Sequence, residues 1–186
     1  MPAQPWADSL LPTSWFTVWR HKVAVSRAEV SRWVQKHRAG QSAPDTSLIM
    51  TCGNFDPLHF GHIDGFCQAK SWFDVSGNAS MHLIVQLDDD ETVAEQKGVG
   101  RPVWPLPLRA AALAAVDLVS LVIPFRGGVP DEIIKLIMPD GYFKGSDRSW
   151  EDTPERQVLE RMRIPFFRTK RRIRLSSSAM IERVAF

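Results

Sequence analysis

From residue 47 onward, short apolar runs alternate with segments of helical period. "SLIMTCG" at 47–53 is apolar almost throughout, as in a strand covered on both faces. "MHLIVQL" (81–87), "LVSLVIPF" (118–125), "GYFKG" (141–145) and "IPFFRT" (164–169) read as further strands. Between them, "HIDGFCQAKSWF" (62–73) places Ile63, Phe66, Cys67 and Ala69 at helical spacing. "LRAAALAAV" (108–116) is an alanine-rich helix, and "PDEIIKLIM" (130–138) sets Pro130 at a helix start. "PERQVLERMR" (154–163) and "SSSAMIERVAF" (176–186) complete the helices. Residues 88–107, polar and rich in Gly and Pro, read as a long connection. The alternation predicts a doubly wound α/β fold: a parallel five-stranded sheet with helices on both faces.

Residues 1–46 read differently. The first 20 or so lack periodicity and suggest an irregular arm. "SRAEVSRWVQKHRAG" (26–40) follows as a leading helix, with Ser26 and Glu29 at capping-box spacing and Gly40 as its stop. The expected organisation is an arm and leading helix over 1–46, then one domain over 47–186.

The chain has 186 residues and a net charge of +2, so one cored domain is expected and bulk charge points to no polyanionic partner. No apolar run reaches membrane-span length and the N-terminus does not resemble a secretory signal. Cys52 and Cys67, the two cysteines, lack CxxC spacing, which favours two buried thiols and a reducing, cytoplasmic setting.

Ligands of such sheets bind beyond the carboxyl ends of the strands. Four polar clusters fall there: 53–62, 88–90, 144–147 and 168–178. The first, "GNFDPLHFGH", runs from a strand into a helix. A helix start offers unpaired N–H groups and partial positive charge, suited to phosphate. Gly61 leaves room for close approach, and His59 and His62 share a face from which both can donate. Spacing alone leaves two other readings open: a metal site of the histidines with Asp56, or ordinary surface imidazoles.

The stretch resembles the G-x-F-D-x-x-H-x-G-H signature of the cytidylyltransferase-like nucleotidyltransferases, whose fold is Rossmann-like. "GRPVWPLPLRAAALAAVDLVSLVIPF" (100–125), "LIMPDGYFKGSD" (136–147) and "LSSSAMIERV" (175–184) resemble the branch of heptose-1-phosphate adenylyltransferases and glycerol-3-phosphate cytidylyltransferases. The resemblance spans roughly residues 47–186 and contains no sugar-kinase domain, so the chain is expected to act alone. It implies transfer of a nucleoside monophosphate, AMP from ATP, onto a sugar or polyol phosphate, or alternatively CMP from CTP onto glycerol 3-phosphate or a similar compound, with Mg²⁺ on the triphosphate and no organic cofactor.

The resemblance also implies roles. His59 and His62 would stabilise charge on the phosphates; Asn54, Phe55 and Gly61 would hold them; Asp56 would orient the loop. Lys144, Ser146 and Asp147 would recognise the nucleotide, and Ser176, Ser177 and Ser178 would cap a phosphate-facing helix. Asp90, Lys97, Arg109, Arg171 and Arg172 would meet triphosphate or acceptor. Three departures stand out: Ser146 replaces a glycine, Arg174 replaces another, and Asp88–Asp89–Asp90 replaces an asparagine–serine–aspartate run. Relatives commonly pair as homodimers, and the seven tryptophans suit either an interface or the core. A turnover-free regulatory module and an RNA-binding protein using the basic run 168–175 are the competing classes.

Overall fold

The computed structural model describes residues 18–39, 46–73, 80–127, 130–170, 172–173 and 175–184. Arg171 and Arg174, the arm before residue 18 and Gly40 lie outside the described residues.

Helix α1, Arg27–Ala39, leads into β1, Thr46–Gly53. Then follow α2 (Phe60–Phe73), β2 (Ser80–Asp88), α3 (Asp90–Lys97), α4 (Leu106–Ala114) and β3 (Val119–Phe125). The chain closes with α5 (Asp131–Ile137), β4 (Gly141–Lys144), α6 (Arg156–Met162), β5 (Phe166–Arg168) and α7 (Ser177–Val184). The five strands form one parallel sheet in the order β3-β2-β1-β4-β5, a Rossmann-like arrangement.

The sheet is buried on both faces, which explains the continuous apolar runs. One face packs Ile49, Leu83, Val85 and Phe143 under Phe66 of α2 and Leu113 of α4. The other packs Leu48, Met50, Ile84 and Tyr142 under Val30 of α1, Ile134 of α5 and Leu159 of α6.

The leading segment belongs to the same core. Val23 bridges Val122 in parallel, and the Ala24 amide donates to the Val122 carbonyl at 3.0 Å. Ser26 caps α1 by accepting from the Glu29 amide at 3.3 Å, while the Glu29 carboxylate accepts from the Val25 amide at 2.7 Å.

Residues 88–107 correct the sequence reading, because they contain α3. Asp89 caps it by accepting from the Thr92 amide at 2.8 Å, and Gly98, with φ 87°, ends it. Only Thr92 and Val93 of this helix are buried. Without an apolar stripe it left no periodic signal. Cys67 is a second correction: it is exposed, and Cys52 is half-buried. Among the described residues no helix is long and apolar enough to cross a membrane.

Candidate active site

Strand β1 pairs β2 on one side and β4 on the other, so the chain reverses winding at the β1/β4 boundary. Loops diverge there and leave a crevice. A cleft of about 660 Å³ occupies it and draws residues from all four polar strand-end clusters.

His59 ends the loop before α2 and His62 lies in its first turn. Their rings stack with centroids 3.7 Å apart and planes 15° apart. The His59 amide donates to His62 Nδ1 at 3.2 Å. That bond leaves Nδ1 without a proton and puts the proton on Nε2, a donor even in the neutral ring. Burial, then the neighbouring His59, pushes the His62 pKa down to about 3. Burial also lowers that of His59. Both rings are therefore uncharged at neutral pH, and His62 presents Nε2–H as a donor.

Gly61 makes the stack possible, since a Cβ there would stand 2.9 Å from His59 Cε1. The space it leaves is filled by the protein's own ring. Phe55 turns the loop through a left-handed φ of 46° and buries its ring 4.8 Å from His62. Asn54 lines the cleft and its side-chain amide donates to Gln96 Oε1 at 3.3 Å.

Asp56 is buried beneath this loop. It accepts from Arg101 Nε at 2.7 Å and from the amides of Val103 and Trp104, each at 2.8 Å. Burial alone would raise its pKa; the two amides and the Arg101 guanidinium outweigh burial and hold it low. With its oxygens so engaged, Asp56 fastens the histidine loop to the segment before α4.

Arg109 lies elsewhere than the resemblance implied. It is 0% exposed and stands behind the cleft wall. Its Nε donates to the Trp104 carbonyl at 2.9 Å; Nη1 donates to the carbonyls of Asn54 (2.8 Å) and Asp88 (2.7 Å). Nη2 pairs with Asp90 Oδ1 at 2.6 Å. Arg109 is thus a tie among three backbone segments, and the expectation that it meets phosphate is corrected. The same ion pair turns the Asp90 carboxylate toward Arg109, and neither residue lines the cleft.

Lys144, Ser146 and Asp147 do line it. Lys144 Nζ points inward, 2.7 Å from Cys52 Sγ and 3.0 Å from Glu155 Oε1. Burial pushes the Cys52 thiol up to about 12. Asp147 folds back on Gly145, where a Cβ would meet its Oδ1 at 2.5 Å. Lys97 stands at the rim, and exposed Arg172 lies 3.9 Å from Asp64.

Ser176, Ser177 and Ser178 bring the start of α7 to the cleft. Ser176 Oγ accepts from the Ala179 amide at 3.2 Å, a helix cap. Ser177 Oγ donates to the Pro57 carbonyl at 2.9 Å, joining α7 to the histidine loop.

Sequence reasoning overlooked Glu155 and Arg101, and it noticed Asp88 only as part of an acidic run. Asp88 lines the cleft while 5% exposed, and burial raises its pKa to about 6. It sat within a noticed cluster, and strand alternation from Gln86 was the signal for its direction. Glu155 and Arg101 had no sequence signal, because their partners Lys144 and Asp56 are remote in the chain.

A doubly wound parallel sheet, with helix starts and neutral imidazoles around its switch-point cleft, defines a nucleotide-handling domain of the nucleotidyltransferase type. The cytidylyltransferase-like family model matches residues 50–183, and the chain belongs to that family. "Bifunctional protein HldE" of Halorhodospira halophila is 41% identical over 112 residues, 60% of this chain and 22% of that one. The protein of the same name from Shewanella amazonensis is 40% identical over 105 residues, covering 56% and 21%. The matched part thus spans about a fifth of these relatives. The crystal structure of the lipopolysaccharide core biosynthesis protein from Thermoplasma volcanium superposes with a TM-score of 0.56 at 20% identity, covering 68% of this chain and 98% of that one, a likeness of fold.

Proposed function

We propose that this protein transfers AMP from ATP to the phosphate of a sugar or polyol phosphate and releases pyrophosphate. The stacked, neutral His59–His62 pair at the start of α2 carries this reading. A phosphate monoester is largely dianionic at neutral pH, its second pKa being about 6. It attacks the α-phosphorus without a side-chain base. The bond from its oxygen to phosphorus forms as the bond to the leaving pyrophosphate breaks. The protein's task is positioning and charge neutralisation.

His62 Nε2–H donates to phosphate oxygens where charge builds, and His59 stands beside it. The start of α7 and the cations Lys97 and Arg172 flank the chain of phosphates. Among the described residues no group of three or more His, Cys, Asp or Glu could hold a metal. Mg²⁺ would accompany the nucleotide, held mainly by phosphate oxygens and water, and would neutralise charge on the triphosphate. ATP is preferred over CTP on the likeness of residues 100–125 to the adenylyltransferases. The same reading goes with a cytoplasmic setting, where ATP is available.

The test is pyrophosphate release with Mg²⁺, each NTP and a panel of sugar and polyol phosphates. Turnover with ATP and one acceptor class is expected, and CTP as the productive nucleotide would correct the base. His59→Ala and His62→Ala should each cost on the order of a hundredfold in rate. Wild-type rates in both would refute the role given to the histidines, and nucleotide binding without turnover would overturn the reading in favour of a regulatory module.

A further inference from the structure

The ladder between β4 and β5 ends at Thr169, whose amide donates to the Lys144 carbonyl at 3.1 Å. Beyond that point the chain leaves the sheet and runs along the cleft toward α7. Backbone N–H and C=O groups that leave a ladder need other partners. At Lys170 one side chain of α2 supplies both. Gln68 Oε1 accepts from the Lys170 amide at 2.8 Å, and Gln68 Nε2 donates to the Lys170 carbonyl at 2.9 Å.

The carboxamide of Gln68 carries an acceptor and donors on one planar group, as a peptide unit does. It takes the place of a neighbouring strand. Asp64, one turn earlier on α2, fixes its orientation by accepting from Nε2 at 2.7 Å. A flipped amide would set its oxygen against two acceptors, the Asp64 carboxylate and the Lys170 carbonyl. Gln68 is 3% exposed, so little water competes for these bonds. It is not among the residues that line the cleft, and it reaches the site through the main chain of Lys170.

Lys170 and Arg172 are exposed and do line the cleft. A second fastening of this segment is the bond from Ser177 to the Pro57 carbonyl. One anchor is α2 and the other is the loop that enters it, so the histidines and these cations share a single support. A segment ordered only on binding nucleotide would charge its lost backbone entropy against affinity. A segment clamped in the free protein would not.

We propose that Gln68 is a positioning residue: it clamps the main chain at Lys170 so that Lys170 and Arg172 stand ready for the polyphosphate of the nucleotide, and it thereby sets nucleotide affinity. This rests on the transferase reading above, which supplies the nucleotide.

The affinity for a non-hydrolysable ATP analogue with Mg²⁺ is measured calorimetrically in wild type, Gln68→Met and Ile134→Val. Met is close to Gln in length and cannot donate. Gln68→Met should bind the analogue tenfold or more weakly. Ile134→Val, a core change on the other face of the sheet, lowers stability without touching the clamp and should stay within twofold. In the pyrophosphate assay Gln68→Met should raise KM for nucleotide tenfold or more with kcat within threefold, the pattern of a lost binding interaction common to ground and transition states. Where Gln68→Met fails to fold, as circular dichroism would show, Gln68→Asn, one methylene shorter, is held to the same thresholds. Amide exchange of the wild type without nucleotide should find the Lys170 N–H protected. Analogue affinity within twofold of wild type in the Gln68 variant, an equal loss in Ile134→Val, an unprotected Lys170 amide, or no analogue binding by the wild type overturns the proposal. A kcat that falls while KM holds overturns it too. A Gln68 variant that loses analogue affinity, in a protein that releases no pyrophosphate with any acceptor, would instead sink the transferase reading and leave the clamp standing.

Discussion

Replacing Arg109 by Met tests whether this guanidinium is a tie or a phosphate ligand. The side chain is 0% exposed, and three of its bonds run to carbonyls of Trp104, Asn54 and Asp88. Hydrogen bonds involving a charged group contribute about 1.5–3 kcal/mol each. The three share one donor group and do not add fully. The pair with Asp90, whose side chain is 43% exposed, is discounted for solvent screening. Met fills much of the volume, so the expected net loss is about 4 kcal/mol. For a chain of this size each kcal/mol lowers Tm by about 2–4 °C, so thermal unfolding should shift down by about 8–16 °C. Scanning calorimetry with and without Mg–ATP reads it. Arg109→Lys keeps the charge but reaches fewer carbonyls and should recover less than half of the loss. The reasoning fails if Arg109→Met unfolds within about 2 °C of wild type while its KM for nucleotide rises tenfold or more.

Two further outcomes follow from the histidine stack. An unfolded imidazole titrates near 6.5, whereas folded His62 titrates near 3, so the unfolded chain binds more protons between those values. His62's contribution to stability is full above about pH 6.5 and is lost as pH falls toward 3; urea unfolding at pH 7.5 and 5 should show a steeper loss in wild type than in His62→Gln, and equal slopes would contradict the burial argument. Gly61→Ala would drive a Cβ to 2.9 Å from His59 Cε1, while alanine favours the helix by about 1 kcal/mol. The rate should drop tenfold or more with Tm unchanged or higher; an undiminished rate would mean the stack is dispensable.

Much of the architecture was written locally. Apolar runs of strand length, separated by segments of helical period, specified five strands and, of α1 to α7, every helix but α3, since local pattern reports burial wherever an element has a buried face; the short 3-10 turn Arg20–Lys22 left no such pattern. The loop "GNFDPLHFGH" was legible for a related reason: its backbone turn, its glycine and both imidazoles are neighbours in sequence, so their mutual geometry is nearly local. Tertiary structure alone decided which charges were free. Arg109 looks in sequence like any residue of a phosphate site, yet it ends behind the wall. Lys144 reads as a cleft cation, but Glu155 and Cys52 engage it from 11 and 92 residues away. Asp88 reads as one of three aspartates, and only burial separates it from the cap at Asp89 and the ion pair at Asp90. Hydrophobic pattern is a property of single elements, and the sequence carries it openly. Whether a charge is available depends on partners that the fold brings in from distant parts of the chain.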